Sequence, residues 1–498
     1  MELATVRKTG ACSMKNARTE KNSNSGYGGM QNPVWTLTQV LLATGGRFIS
    51  GKTEAGFRRV STDSRAIEPG DLFVALRGEN FDGHAYIAQA VEKGAAGLIV
   101  DAIPEKIPPV PVVLVADTLR ALGDLAAYRR SLMQDLQVVA ITGSCGKTTV
   151  KEMIAAILDR EYNVLKTKGN LNNLIGLPLS LLPVEYHHDF AVMEMGMNQL
   201  GEIARLTEIA DPDIACITNI QDAHLAGLSD INGVARAKGE LFAGIKAWGR
   251  LVVNIDDKRV RGIARRCSQK KTTFGRDPKA DIRGVRLRSL GERGMAFTLQ
   301  IGSNEARVKI RSLGAHNVQN ALAAAGMAHA AGVKFKDIVA GLESFAPFEK
   351  RLQVQKLTGG IRVINDVYNA NPSSVLAALE TLRQMDRSNR KVVILGDMLE
   401  LGAQSVAAHQ GIGRKVAQLG FDALLAVGEF AEVMVAAAWK AGMSKKKAAF
   451  FKEKEQIALW LRESIAAGDL KPGDWVLVKG SRGMRMETIT HNMLEKQD

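Results

Sequence analysis

The sequence predicts an α/β protein of three domains: a central parallel sheet carrying a phosphate loop, a C-terminal Rossmann-like domain and a small N-terminal α/β domain. Three observations predict it. The 498 residues amount to about three domains at roughly 150 residues each. Short runs of β-branched and apolar residues alternate with helical stretches, the rhythm of parallel βα units. Finally, Thr142-Gly143-Ser144-Cys145-Gly146-Lys147-Thr148-Thr149 lies between one such run and a helical pattern, the setting a phosphate-binding loop requires.

Residues 1–32 are polar, rich in Gly, Ser and Asn, and without periodicity. They predict a disordered tail, with Met30 as an alternative start. The first domain is expected over 33–135. Its strands are Leu72–Leu76, Gly97–Val100 and Val112–Val115, and a helix over Ala85–Gly94 is ended by its glycine. The central domain is expected over 136–313, with strands Val138–Thr142, Ala191–Met193, Ile214–Thr218 and Leu251–Asn254 separated by helices. Residues 281–312 alternate as antiparallel strands do. The last domain is expected over 314–498, with strands Ile361–Ile364, Lys391–Leu395, Ala423–Val427 and Trp475–Val478, each followed by a helical pattern.

Composition narrows the function classes. With 46% hydrophobic and 24% charged residues, the chain is not a mostly disordered one. The four cysteines, Cys12, Cys145, Cys216 and Cys267, are scattered, which excludes a disulfide-stapled fold and a zinc motif and predicts a reducing, cytoplasmic setting. No apolar run reaches the ~18 residues of a membrane span, so no membrane insertion is expected. Lys and Arg outnumber Asp and Glu by 66 to 52, a net +14. The basic residues are dispersed, the Lys445-Lys446-Lys447 cluster has no aromatic partners, and aromatics make up only 5%. No nucleic-acid partner is expected; the charge suits a small polyanion such as a nucleotide.

The loop carries the strongest chemical signal. Its glycines let backbone N–H groups face phosphate oxygens, the following helix N-terminus adds positive potential, and Lys147 neutralises the outer phosphates. The Thr148 hydroxyl is the expected magnesium ligand. One departure stands out: the general G-x-x-x-x-G-K-[ST] pattern wants glycine at position 141, where this chain has Ile141.

Glu194 and His224 follow predicted strand ends, where open α/β sheets face their ligands. They are either two ordinary loop residues or a carboxylate and an imidazole holding a second divalent cation. His187-His188 fits a surface turn. In the helix over 231–245, Lys238 falls on the apolar face with Val234 and Leu241. That spacing alone favours an ammonium that snorkels to water. The alternative is burial that lowers the pKa, so that the neutral amine takes up CO2 as a metal-ligating carbamate.

The loop TGSCGKTT, the run Gly169–Gly176, Glu194-Met195-Gly196-Met197, the block around His224, Ala237-Lys238-Gly239-Glu240 and His316–Ala321 together resemble the Mur ligases. Further segments narrow the resemblance to members that add a dipeptide: Asp63-Ser64-Arg65, Pro69–Gly78, Asn365–Pro372 and Leu395–Gly402. It runs in order from about residue 35 to the C-terminus. It implies an ATP-dependent ligase, in peptidoglycan precursor synthesis, that joins UDP-muramoyl-tripeptide to D-alanyl-D-alanine through an acyl phosphate. It also implies that Lys147, Lys238 and His224 are catalytic, that two magnesium ions sit on Thr148, Glu194, His224 and a CO2-derived carbamate of Lys238, and that Thr142–Thr149 bind ATP. Asn320 would contact the adenine, Arg351 the phosphates and Asp366 the ribose. Asp63, Ser64 and Arg65 would lie in the UDP-binding domain, Asn172 and Asn173 would face the muramoyl-peptide, and Lys479 and Ser481 would line the dipeptide site. A monomer that closes over its reactants is expected. The nearest rival, a relative adding a single diamino acid, is disfavoured because YNANPSS stands where such relatives often carry DNPR. A regulatory P-loop NTPase or a nucleotide-gated binding protein would leave the N-terminal and C-terminal motifs without purpose.

Overall fold

A computed structural model describes residues 35–78, 81–221, 228, 230–347, 349–357, 359–386, 388–491 and 494. The expectations for the 1–32 tail and for His224 lie outside the described residues. The fold class is the expected one: α/β sheets of five, nine and six strands in succession, with a two-stranded antiparallel pair, 35–36 with 56–57, at the start.

The first sheet runs in the order 47–50, 112–114, 97–100, 72–74, 60–61, parallel except for the first pair. The helix expected over Ala85–Gly94 begins as a 3-10 turn, Gly83–Tyr86, because the Asp82 carboxylate caps His84 N–H; the α-helix itself spans Ile87–Glu92. Gly94, at φ +99°, turns the chain out of it.

In the central sheet the order is 304–310, 295–301, 282–289, 270–275, 250–254, 214–217, 137–142, 190–194, 164–166, parallel from 164–166 through 282–289 and antiparallel beyond. Gln137–Thr142 sits between 190–194 and 214–217. Its side chains alternate between two cores: Val138 and Ala140 pack with Leu177 and Leu206, whereas Val139 and Ile141 pack with Ile154 and Leu322. Burial on both faces explains why the strand is an unbroken apolar run rather than an alternating one. The loop after it opens at a switch point of the strand order, where α/β sheets bind ligands.

The helices Ala315–Ala330 and Phe335–Ser344, expected with the last domain, bury their apolar faces on the central sheet instead. Gly341 allows this: a Cβ there would stand 2.5 Å from Ile157 Cα on the loop helix Lys147–Leu158. The change of sheet therefore falls between Phe345 and Gln353 rather than at 313. The last sheet runs 353–357, 361–366, 475–479, 391–395, 423–427, 448–451. All four expected strands are present. Trp475–Lys479 is followed by two 3-10 turns, Arg482–Met484 and Met486–Ile489, rather than by a helix. These turns pack Met486 and Ile489 into the same core as Val476 and Val478. The edge strands Gln353–Leu357 and Ala448–Phe451 lie outside the expected set; both are short and partly exposed, as edge strands are. Among the described residues no helix is long and apolar enough to cross a membrane.

Candidate active site

A cleft of about 1110 Å³ lies between the central and C-terminal sheets. It is lined by Ser144–Thr149, Asn172, Asn173, Glu194, Asn320, Arg351, Asp366, Lys479 and Ser481. The fold thus brings together residues from both ends of a stretch more than three hundred positions long. Thr142, Gly143 and Lys238 lie behind this lining, while Asp63, Ser64 and Arg65 line no part of it. In the first domain, Asp63 caps the turn Ser64–Ala66 and pairs with the exposed Arg65 through two hydrogen bonds of 2.9 Å; Ser64 Oγ donates to Gln89. That ion pair holds the Asp63 carboxyl down at about 2.

The loop is held in place by its surroundings. Thr142 Oγ1 donates to the Met195 carbonyl at 2.8 Å. Gly143, at φ +149°, admits no side chain, since a Cβ would lie 1.9 Å from Thr218 Oγ1. Gly146, at φ +85°, abuts Asn320 and starts the helix Lys147–Leu158, whose first N–H groups have no intrahelical acceptor. Lys147 Nζ folds back to the Gly143 carbonyl at 2.9 Å. Thr148 Oγ1 accepts from Arg351 at 2.8 Å, and Arg351 itself stacks 3.8 Å above the Tyr368 ring. Lys350 and Leu352, on either side of Arg351, have φ values of +62° and +47°. Strain of this kind persists where neighbours over-determine the backbone: Lys350 pairs with Glu487 at 2.8 Å, and Leu352 N–H donates to Asp366.

Glu194 is 2% exposed. Its Oε1 accepts from Asn172 Nδ2 at 2.8 Å, while Oε2 is buried with no hydrogen-bond partner. Thr167 Oγ1 accepts its N–H, and the fully buried Lys151 fastens Thr167 through its carbonyl at 2.7 Å. A carboxylate oxygen buried with nothing to neutralise it is the donor a divalent cation needs. No cluster of three or more His, Cys, Asp or Glu forms among the described residues. Lys238 does not snorkel. It is 1% exposed, and burial, reinforced by the charge of Lys147 and opposed by Cys145, drives its ammonium well below the usual lysine range. Packing of Ile231–Gly244 against the sheet removes the route to water that the sequence spacing left open.

On the C-terminal side, Lys479 is buried and has three acceptors: Asp366 Oδ2 at 2.6 Å, Asn369 O at 2.8 Å and Asp366 O at 3.5 Å. His316 faces this pair; loss of water pushes its imidazole down to about 4, with Asp366 opposing and Lys479 adding to the shift, so it is neutral at pH 7. Asn320 Nδ2 donates to Asn317, and Asn173 Oδ1 accepts from Ile175 and Gly176 N–H, ordering the loop beside Glu194. Ser481 Oγ accepts from Leu399 N–H and donates to the Ala370 carbonyl. His187-His188 occupies a turn away from the cleft. The sequence reading missed Tyr368 as the platform under Arg351, and Asn219, which brackets the phosphate loop. Asn219 stands one residue past a predicted strand, so its position was legible but its partner was not.

Three family profiles match the chain: "Mur ligase family, catalytic domain" over residues 57–130, "Mur ligase middle domain" over 141–328 and "Mur ligase, glutamate ligase domain" over 350–482. The UDP-N-acetylmuramoyl-tripeptide–D-alanyl-D-alanine ligase of Bacillus subtilis is 37% identical over 439 residues, covering 88% of this chain and 93% of that one. Among solved structures, MurF of Acinetobacter baumannii superposes with a TM-score of 0.85 at 37% identity, covering 93% of this chain and 99% of the other. MurF ligase of Thermotoga maritima, solved in complex with ADP, gives 0.77 at 28% identity over 87% and 96% of the two chains.

Proposed function

The chain belongs to the Mur ligase family, and we infer from that premise how its cleft performs the ligation. The enzyme is an ATP-dependent acid–amino-acid ligase that joins UDP-N-acetylmuramoyl-tripeptide to D-alanyl-D-alanine in cell-wall precursor synthesis. The observation that carries the mechanism is the meeting of Thr148, on the phosphate loop, with Arg351, from the C-terminal domain, in one cleft beside the unpartnered Glu194 oxygen.

A peptide carboxylate repels nucleophiles and has no usable leaving group. Transfer of the γ-phosphoryl group of ATP to it makes an acyl phosphate; the dipeptide amine then forms the C–N bond, loses a proton, and phosphate departs with the broken C–O bond. The residues of this chain supply positioning and charge. The free N–H groups at the start of Lys147–Leu158 receive phosphate oxygens, and Lys147 and Arg351 neutralise them from opposite sides. Asn320 and Asp366 hold the nucleoside, and Asn173 orders the wall facing the muramoyl-peptide. Lys479, already bonded to Asp366, and Ser481 shape the dipeptide end. Magnesium would supply charge here: Thr148, Glu194, His224 and a carbamate on Lys238 would hold two ions, offsetting the charge gathered on the phosphoryl oxygens. The carbamate forms when the neutral Lys238 amine bonds to CO2 and gives up one proton. Use of ATP and a UDP-linked precursor places the enzyme in the cytoplasm.

Phosphate release measured with UDP-muramoyl-tripeptide, ATP, magnesium and D-alanyl-D-alanine should require all four. Release that continues without the dipeptide, or a diamino acid serving in its place with the shorter dipeptide substrate, overturns this assignment. Domain closure is a second expectation. Asp63, Ser64 and Arg65 line no part of the cleft, so a substrate held there by its UDP end must draw the first domain inward, which also shields the acyl phosphate from water. The radius of gyration from small-angle scattering should fall when all ligands are added; superimposable profiles would refute closure.

A further inference from the structure

The unexplained feature of the phosphate loop is Ile141, where the general pattern has glycine. Ile141 is not in the loop. It is fully buried in strand 137–142 and paired with both Glu194 and Cys216. The turn therefore begins only at Gly143, which leaves the loop few residues of its own to brace its first amides.

The neighbouring strand end supplies what is missing. The Asn219 carbonyl accepts from Ser144 N–H at 3.0 Å. Asn219 Oδ1 accepts from Cys145 N–H at 3.0 Å, and its Nδ2 donates to the Cys145 carbonyl at 3.0 Å. Thr218 Oγ1 donates to that same carbonyl at 2.6 Å. Ser144 Oγ completes the bracket by donating to the Gln221 carbonyl and accepting its N–H, each at 2.9 Å. The bracket is itself anchored: Asn254 Nδ2 donates to the Thr218 carbonyl, and Asp257 Oδ2 accepts from Ile220 N–H, both at 2.8 Å. The donors of Ser144 and Cys145 are thus taken by protein, and those at the helix start are left to the cleft.

We propose that Asn219 is a positioning residue for ATP: its side-chain amide, bonded to both backbone groups of Cys145, holds the shortened phosphate loop in its anion-binding shape and so sets nucleotide affinity. The inference rests on the ligase reading for the identity of the nucleotide, but not for its own test. Asparagine is required because one amide offers an acceptor and a donor at this spacing. Aspartate keeps the acceptor, loses the donor and sets a negative charge against the Cys145 carbonyl. Cys145 meets Asn219 through its backbone alone, while its thiol contacts the Asn371 amide of the C-terminal domain.

ADP binding to the full-length protein, followed by calorimetric titration, separates the possibilities. Asn219→Asp and Asn219→Ala should raise the ADP Kd and the KM for ATP on the order of tenfold to a hundredfold, the scale of losing hydrogen bonds that orient a buried site. The KM for UDP-muramoyl-tripeptide and the melting temperature should change little, and Asn219→Ser should lie between. An ADP Kd within twofold of wild type in the Asp and Ala variants overturns the proposal. So does an equal fall of every affinity together with the melting temperature, which marks a merely structural residue. Failure of the wild-type protein to bind ADP would overturn the ligase reading as well, whereas normal ADP binding without ligation would overturn that reading alone.

Discussion

Lys238→Ala should lose ligase activity on the order of a thousandfold, and acetate or propionate should restore part of it. The size of the loss follows from what the lysine is taken to supply: an anionic metal ligand where phosphoryl charge develops, worth several kcal/mol at about 1.4 kcal/mol per factor of ten. The restoration follows from shape, since the alanine variant leaves a buried slot into which a short carboxylate can bring the negative oxygens a carbamate would have presented. Full activity of the variant without any added acid would sink the carbamate.

The same residue has a stability signature of opposite sign. Lys238 is fully buried and its ammonium is driven well below the usual range, whereas in the unfolded chain a lysine titrates near ~10.4. Between those two values the unfolded state holds a proton that the native state does not, so stability rises with pH by up to about 1.4 kcal/mol per unit across that window. At neutral pH the lysine therefore destabilises the fold. In carbonate-free buffer, Lys238→Met should melt at a higher temperature than wild type at pH 7 and show a flatter dependence of melting temperature on pH. A lower melting temperature with an unchanged slope would mean that the ammonium is not displaced as its burial requires.

Glu194→Gln is the second large effect. The substitution preserves shape and leaves Asn172 Nδ2 an oxygen to donate to, but it removes the charge from a side chain that is 2% exposed and has one oxygen without a partner. Activity should fall on the order of a hundredfold, and the added thermal stability that magnesium gives the ADP complex should vanish, because a ligand stabilises only in proportion to its binding. Without metal, the Gln variant should melt at or above the wild-type temperature, since a buried, unneutralised carboxylate is a liability. A magnesium-dependent shift equal to that of wild type would remove Glu194 from the metal site.

Most of the architecture could be read along the chain because it is written in local pattern. The strand–loop–helix at Val138–Ile154, the helix carrying Lys238 and the antiparallel run after 281 depend on neighbours in sequence, and each stands where expected. Failures came where distant packing decided. The helix Ala315–Ala330 looks the same whichever sheet it covers, and only the packing of Val318 and Leu322 with Ile141 and Ile154 shows which. The sequence pattern after Trp475–Lys479 resembles that after the other strands, yet the chain leaves it through two 3-10 turns whose Met486 and Ile489 are drawn into the core beside Val476 and Val478.

The chain by itself determined the family, the phosphate loop and the residue types around it, since glycine, lysine and threonine at fixed spacing already specify a phosphate seat. Only the tertiary structure decided the electrostatics. Snorkelling or burial of Lys238, pairing or orphaning of the Glu194 oxygens and the bracketing of a shortened loop by Asn219 all turn on which surfaces lose water. Desolvation is a property of the packed whole and leaves no mark in the order of residues.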